Sequence, residues 1–134
     1  MPQTFATDIK TWAEKSMASY ESAFKQIALA LFTSVIRDTP VDTGRLRGNW
    51  VISSYKPKKK TVEVIDPTGS KTTANIEKHI RNLKINRKAA SVFLTNSLPY
   101  TARIEFDKHS KQAPQGMVRI NAVRIAQKLK SKYG

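Results

Sequence analysis

The chain has 134 residues, a length that suits one domain around one core, and its 40% hydrophobic content exceeds that of a disordered chain. No apolar run approaches the ~20 residues of a bilayer span, the amino terminus lacks the basic-then-apolar order of a secretory signal, and the lack of cysteine excludes disulfides, thiol nucleophiles and thiolate metal sites. Basic residues outnumber acidic ones 24 to 10, and residues 1–38 balance, so the net charge of +14 sits in the last two thirds and points to a polyanion or an acidic protein surface.

Residues 5–37 read as one long helix. Phe5, Ile9, Trp12, Met17, Tyr20, Phe24, Ile27, Leu31 and Val35 recur mostly at spacings of three and four, which makes one buried stripe. Thr4 or Thr7 can cap its start, with Asp8 in the first turn where the helix dipole favours an anion. Leu29, Phe32 and Ile36 widen the apolar face toward the end, and Thr39-Pro40 stops the helix because a residue before proline leaves the α region. The next stretch, DTPVDTGRLRGNW (38–50), is turn chemistry: Pro40 fixes φ, Asp42 can bond backbone amides two residues on, and Gly44 accepts positive φ. It predicts a rigid corner from helix to sheet. In the extended segment expected after it, Arg45 and Arg47 would share one face.

WVISSYK (50–56) and TVEVID (61–66) read as the strands of a hairpin, the second alternating through Val62 and Val64. PKKK (57–60) would form its tip and carry Lys58, Lys59 and Lys60. PTGSKTT (67–73) reads as loop, and a short amphipathic helix follows at roughly 74–84 with Ile76, Ile80 and Leu83 on one face. SVFLTNS (91–97) is an expected strand, and PYTARIEF (99–106) one or two helical turns opened by Pro99. DKHSKQAPQG (107–116) reads as a loop that waits for a partner; it and the 67–75 loop are expected to be poorly ordered in a free monomer. From Met117 a final helix sets Val118, Ala122, Ile125 and Leu129 inward, with Arg124, Lys128 and Lys132 in a basic row.

No catalytic constellation emerges. His79 and His109 have no carboxylate at short spacing to orient them as bases, and two distant histidines without cysteine make no zinc-like cluster. Asp66, Glu77, Glu105 and Asp107 are scattered and read as solvated surface groups. Gly44 and Gly48 do not frame the Lys-Ser/Thr pair of a phosphate-binding loop.

The order of a long first helix, TPVDTGRLRGNW, a basic hairpin, NSLPYTARIEF and a last helix resembles a family of tailed-phage neck proteins, the head–tail connector or tail-completion proteins of siphophages. The resemblance spans nearly the whole chain. It rests on Pro40, Asp42, Thr43, Gly44, Leu46 and Arg47, then on Tyr100, Ala102, Ile104 and Glu105. Two positions depart from the family's pattern: Asp107 stands where glycine is common, and Thr101 where alanine usually follows the tyrosine. The resemblance implies an α+β fold, with the long N-terminal helix and a C-terminal helix packed on a small, mostly antiparallel sheet. It implies a non-enzymatic structural protein of the virion, made in the bacterial cytoplasm and assembled as a ring of six copies. Head-completion or adaptor proteins and a tail terminator or tail tube protein would be its neighbours, with no cofactor, membrane or small-molecule ligand.

The expected contacts to other subunits and partners are Asp42, Gly44, Arg45, Arg47, Tyr100 and Glu105 from the motifs, with Lys58, Lys59, Lys60, Arg124 and Lys128 from the basic surface. Arg45 and Arg47 are the favoured intersubunit pair, because arginine forks suit carboxylates on an adjacent copy. The alternative is a small basic nucleic-acid-binding protein. Spread over a hairpin tip, a helix and a C-terminal row, the cations suit acidic neighbours better than one nucleic-acid groove, and transient contact with genomic DNA stays open.

Overall fold

In the computed structural model, residues 20–84, 91–107 and 110–133 are described. The early part of the expected stripe, Phe5 to Met17, the caps Thr4 and Thr7, and His109 lie outside them. Helix α1 (Tyr20–Asp38) buries Ala23, Ile27, Ala28, Val35 and Ile36, the end of the stripe where the sequence widens it. It ends as expected at Thr39, whose amide donates to Ile36 O at 3.1 Å and whose hydroxyl donates to Val35 O at 2.6 Å.

After the corner comes a single helical turn, α2 (Arg45–Gly48), then strand β1 (Trp50–Ser54) and helix α3 (Ser70–Arg81). Strand β2 (Val92–Asn96), the short helix α4 (Thr101–Phe106) and the final helix α5 (Val118–Tyr133) complete the chain. The architecture is α+β. β1 and β2 form a two-stranded antiparallel sheet with Trp50 opposite Asn96, Ile52 opposite Leu94 and Ser54 opposite Val92. α1 packs on α3 and on α5. One core joins Ile36 of α1, Leu46, Trp50 and Ile52 of the corner and sheet, Ile76 of α3, and Met117 before α5. A smaller cluster pairs Ile27 with Ile125 under Leu31 and Leu129.

Several expectations are corrected. Residues 61–66 form no strand, and β1 takes β2 as its partner, so the hairpin with a lysine tip does not exist. The chain leaves β1 at Tyr55, whose φ is 73, and the strand that pairs with β1 is Val92–Asn96. The alternation at 61–66 is nevertheless real. Val62 and Val64 are half-buried between exposed Thr61, Glu63 and Ile65 because the segment lies along Gly48 and Asn49. Val62 donates its amide to Asn49 Oδ1 at 2.8 Å, and any Cβ on Gly48 would collide with Val64 O. One face is covered, but by a corner and not by a ladder.

α3 starts four residues before its expected position. Gly69, at φ 79, turns the chain into the helix, and Asp66 accepts the Thr72 amide at 2.7 Å. The 67–75 loop is therefore mostly helix, with Thr72 buried. The part of the second expected loop from 110 to 116 is also pinned: Gln112 bonds both the amide and the carbonyl of Val41, and Ala113 is buried in the core. α4 opens at Thr101 and not at Pro99, after a turn in which Thr101 donates to Leu98 O. Val118 faces solvent at the start of α5, and Asn121 takes its expected place inside.

Candidate functional site

The stretch 38–50 folds into a corner held by its own polar groups. The helical turn α2 separates the two arginines that an extended chain would have aligned. Arg45 is exposed, whereas Arg47 turns inward and spends its guanidinium on three carbonyls: Nε on Thr39 O (2.9 Å), Nη1 on Pro67 O (2.7 Å) and Nη2 on Arg37 O (2.8 Å). Two of these acceptors belong to the end of α1, where helix carbonyls lack intrahelical partners, so Arg47 acts as a side-chain cap. Trp50 Nε1 donates to Thr39 Oγ1 at 2.9 Å, and Asn49 Nδ2 donates to Arg45 O at 2.8 Å. Gly44 sits at φ 99 and its carbonyl accepts the amides of both Gly48 and Asp66. A side chain there would strike Pro67.

The second motif closes on the first. Asn96 donates from Nδ2 to Leu46 O at 2.9 Å across fifty residues of sequence, and its Oδ1 accepts from Leu98 N and Thr101 Oγ1. Tyr100 is half-buried against the core. Glu105 is buried, contrary to the expected solvated role. It accepts the amides of Met117 (2.8 Å), Val118 (2.8 Å) and Arg119 (3.1 Å) and the Arg119 Nε (2.9 Å). Burial alone would raise the Glu105 pKa, yet the Val118, Met117 and Arg119 amides together with the Arg119 side chain hold it below the ordinary carboxylate value. Gly116 at φ 81 lets the chain pass Glu105, since a Cβ would lie 2.6 Å from Glu105 O. Asp66 follows the same logic: burial opposes its charge, while bonds from Thr72, Lys71 and Gly69 lower its pKa. Both carboxylates are framework groups at helix starts, where an anion is favoured.

Among the basic candidates, Arg124 pairs with Asp38 at 3.0 Å and, with Asn121 on the same carboxylate at 2.9 Å, clamps α5 to α1. Lys58, Lys59, Lys60 and Lys128 are exposed, as is Asp42, and the side chain of Lys132 is outside the described set. Asn49, Asn96, Asn121 and Arg119 are the residues that sequence reasoning missed. Nothing marks them except the two asparagines' places beside a tryptophan and at a strand end.

Two of the hollows that open on the surface are lined by described residues. One, of ≈ 460 Å³, is mostly apolar and lies between Trp50, Leu98, Pro99, Phe106 and Val118. Phe106 is 60% exposed there and carries the Arg119 guanidinium 4.5 Å from its ring centroid. The other, of ≈ 530 Å³, is polar and basic and lies between Tyr55 and the end of α3. Among the described residues no group of three or more His, Asp or Glu is placed to hold a metal ion, and no helix is long and apolar enough to cross a membrane. His79 meets Ser54 Oγ at 3.0 Å, a contact with no carboxylate behind it. No protein-family model, curated protein or solved structure matches the chain.

Proposed function

We propose that this chain is a structural neck protein of a tailed phage, a connector or tail-completion component that acts by protein–protein contact in an oligomeric ring. One observation carries the reading. The two segments on which the resemblance rests, far apart in sequence, meet through the Asn96–Leu46 bond and the Trp50–Asn96 pairing. Most of their polar side chains are tied into the fold, Arg47, Asn49 and Asn96 at the corner and Glu105 at the start of α5, so the motifs read as a frame for assembly. A frame of this kind presents surface, and around it stand exposed Asp42, Arg45, Lys58, Lys59, Lys60 and Lys128.

The favoured contact changes accordingly. Arg45 remains a contact candidate, now toward a carboxylate of an acidic neighbour, with its guanidinium in no hydrogen bond or ion pair among the described residues. Arg47 and Gly44 serve the partner surface indirectly, by shaping the corner, and Glu105 does so by fixing the start of α5. Deleting the gene from the phage genome that carries it tests the role: filled heads and separate tails should accumulate, and the protein supplied in trans should restore joining. Normal joined particles in its absence would sink the proposal. Portal and capsid genes upstream, with a major tail protein gene downstream, are the expected setting.

A further inference from the structure

Tyr55 serves neither the core nor the corner. It follows β1 directly, has φ 73 and is 88% exposed. The Lys56 amide donates back across it to Ser54 O at 2.9 Å, the three-residue turn with positive φ, which is rare and strained for a residue with a bulky side chain. Ser53 fastens the turn by donating its hydroxyl to Lys56 O at 2.8 Å. The chain thus spends backbone strain to hold a large ring in water. Strain of this kind, observed and not inferred, is a mark of functional sites.

Beside the ring lies the polar hollow. Lys78 and His79 from the last turn of α3, and Lys84 just beyond it, line the hollow with Asn75 and Asn82, and no carboxylate is among the lining residues. Cations at a helix C-terminus offset the negative end of its dipole, which accounts for Lys78 by itself. The dipole does not account for an aromatic ring turned outward next to it, or for two side-chain amides in the same wall. The wall is also preformed, because Ser54 Oγ fixes the His79 ring at 3.0 Å.

We propose that this hollow binds single-stranded nucleic acid, with a base stacked on Tyr55 and the adjoining phosphates met by Lys78 and Lys84. An exposed aromatic face among lysines is the stacking platform such ligands use, while the Asn75 and Asn82 amides can donate to and accept from base edges. A peptide of acidic residues alone, such as polyglutamate, would use the lysines but has no aromatic face to stack on the ring. A duplex keeps its base faces stacked inside. The site stands apart from the neck reading and does not depend on it.

Fluorescence anisotropy with a labelled oligothymidylate at rising potassium chloride tests the site in the full chain. Tyr55→Ala should weaken binding about tenfold, and Tyr55→Phe should retain it. Tyr55→Gly, which relieves the positive φ, should melt no lower than wild type yet bind as poorly as the alanine variant, separating lost stacking from lost folding. Replacing Lys78 and Lys84 together by alanine should make the salt slope shallower by about 1.4, from two phosphates at about 0.7 each. Wild-type affinity in Tyr55→Ala would overturn the proposal. So would a duplex bound as tightly as the single strand, or polyglutamate competing as well as the oligonucleotide, the latter marking an acidic-peptide site. None of these outcomes bears on head–tail joining, which particle assembly reads separately.

Discussion

Two arginines two residues apart have opposite fates, and that difference is measurable. Arg45 points to solvent, so Arg45→Ala should change stability by no more than about 0.5 kcal/mol. Arg47→Ala removes three hydrogen bonds, of which the one to Thr39 O is partly buried, and should cost about 1–3 kcal/mol in a urea melt. Arg47→Lys should recover only part, since one ammonium cannot reproduce a planar fork. Equal effects of the two alanine variants would count against this assignment. Glu105 gives a pH dependence with a definite sign. Its pKa is lowered in the folded state from an ordinary value of 4.5, so its contribution is present above that value and is lost as pH falls through the lower folded value. Glu105→Gln should be clearly less stable than wild type at neutral pH, and the gap should close progressively below about pH 4.5. A gap that stays constant into acid would mean that the carboxylate charge contributes nothing.

The pairing of β1 shows where sequence reasoning stops. The described part of the α1 stripe, the α5 stripe from Ala122 onward, the break at Thr39-Pro40 and the strand-like character of 50–54 and 92–96 were legible, because each depends on spacing within one segment. Alternation at Val62 and Val64 reports that one face is covered; it says nothing about which groups receive the backbone amides, and here the receiver is the Asn49 side chain. The roles of Asp66 and Glu105 were illegible for a related reason: Asp66 reaches amides as far as Thr72, six residues on, and those held by Glu105 begin at Met117, twelve residues on, at spacings no local pattern fixes. Hydrogen exchange separates the two pairings. Leu94→Pro should strip protection from 50–54, because a proline opposite Ile52 distorts β2. Val64→Pro should leave that protection in place, since 61–66 pairs with no strand. The reverse pattern would restore the hairpin.

Charge acts on the molecule as a unit, and the fold sharpens its imbalance. Of ten carboxylates, Asp66 and Glu105 are buried in helix caps, and Asp38 is engaged by Arg124 and Asn121. The surface that one copy shows another is therefore even more one-sided than the composition, and a ring built from it begins with mutual repulsion between bodies of net charge +14. Salt shortens the reach of that repulsion, to about 10 Å at 0.1 M and about 3 Å at 1 M. Self-association of the purified protein, followed by sedimentation velocity, should consequently rise with potassium chloride, and an acidic neighbour should produce the same rise at low salt. Contacts to phosphates respond with the opposite sign, because each releases counterions that salt opposes. A ring stitched by ion pairs between its own copies would likewise fall apart as salt increases. Oligomers that dissolve with rising salt would thus overturn the view that the copies repel and that acidic partners, not the copies themselves, supply the missing charge.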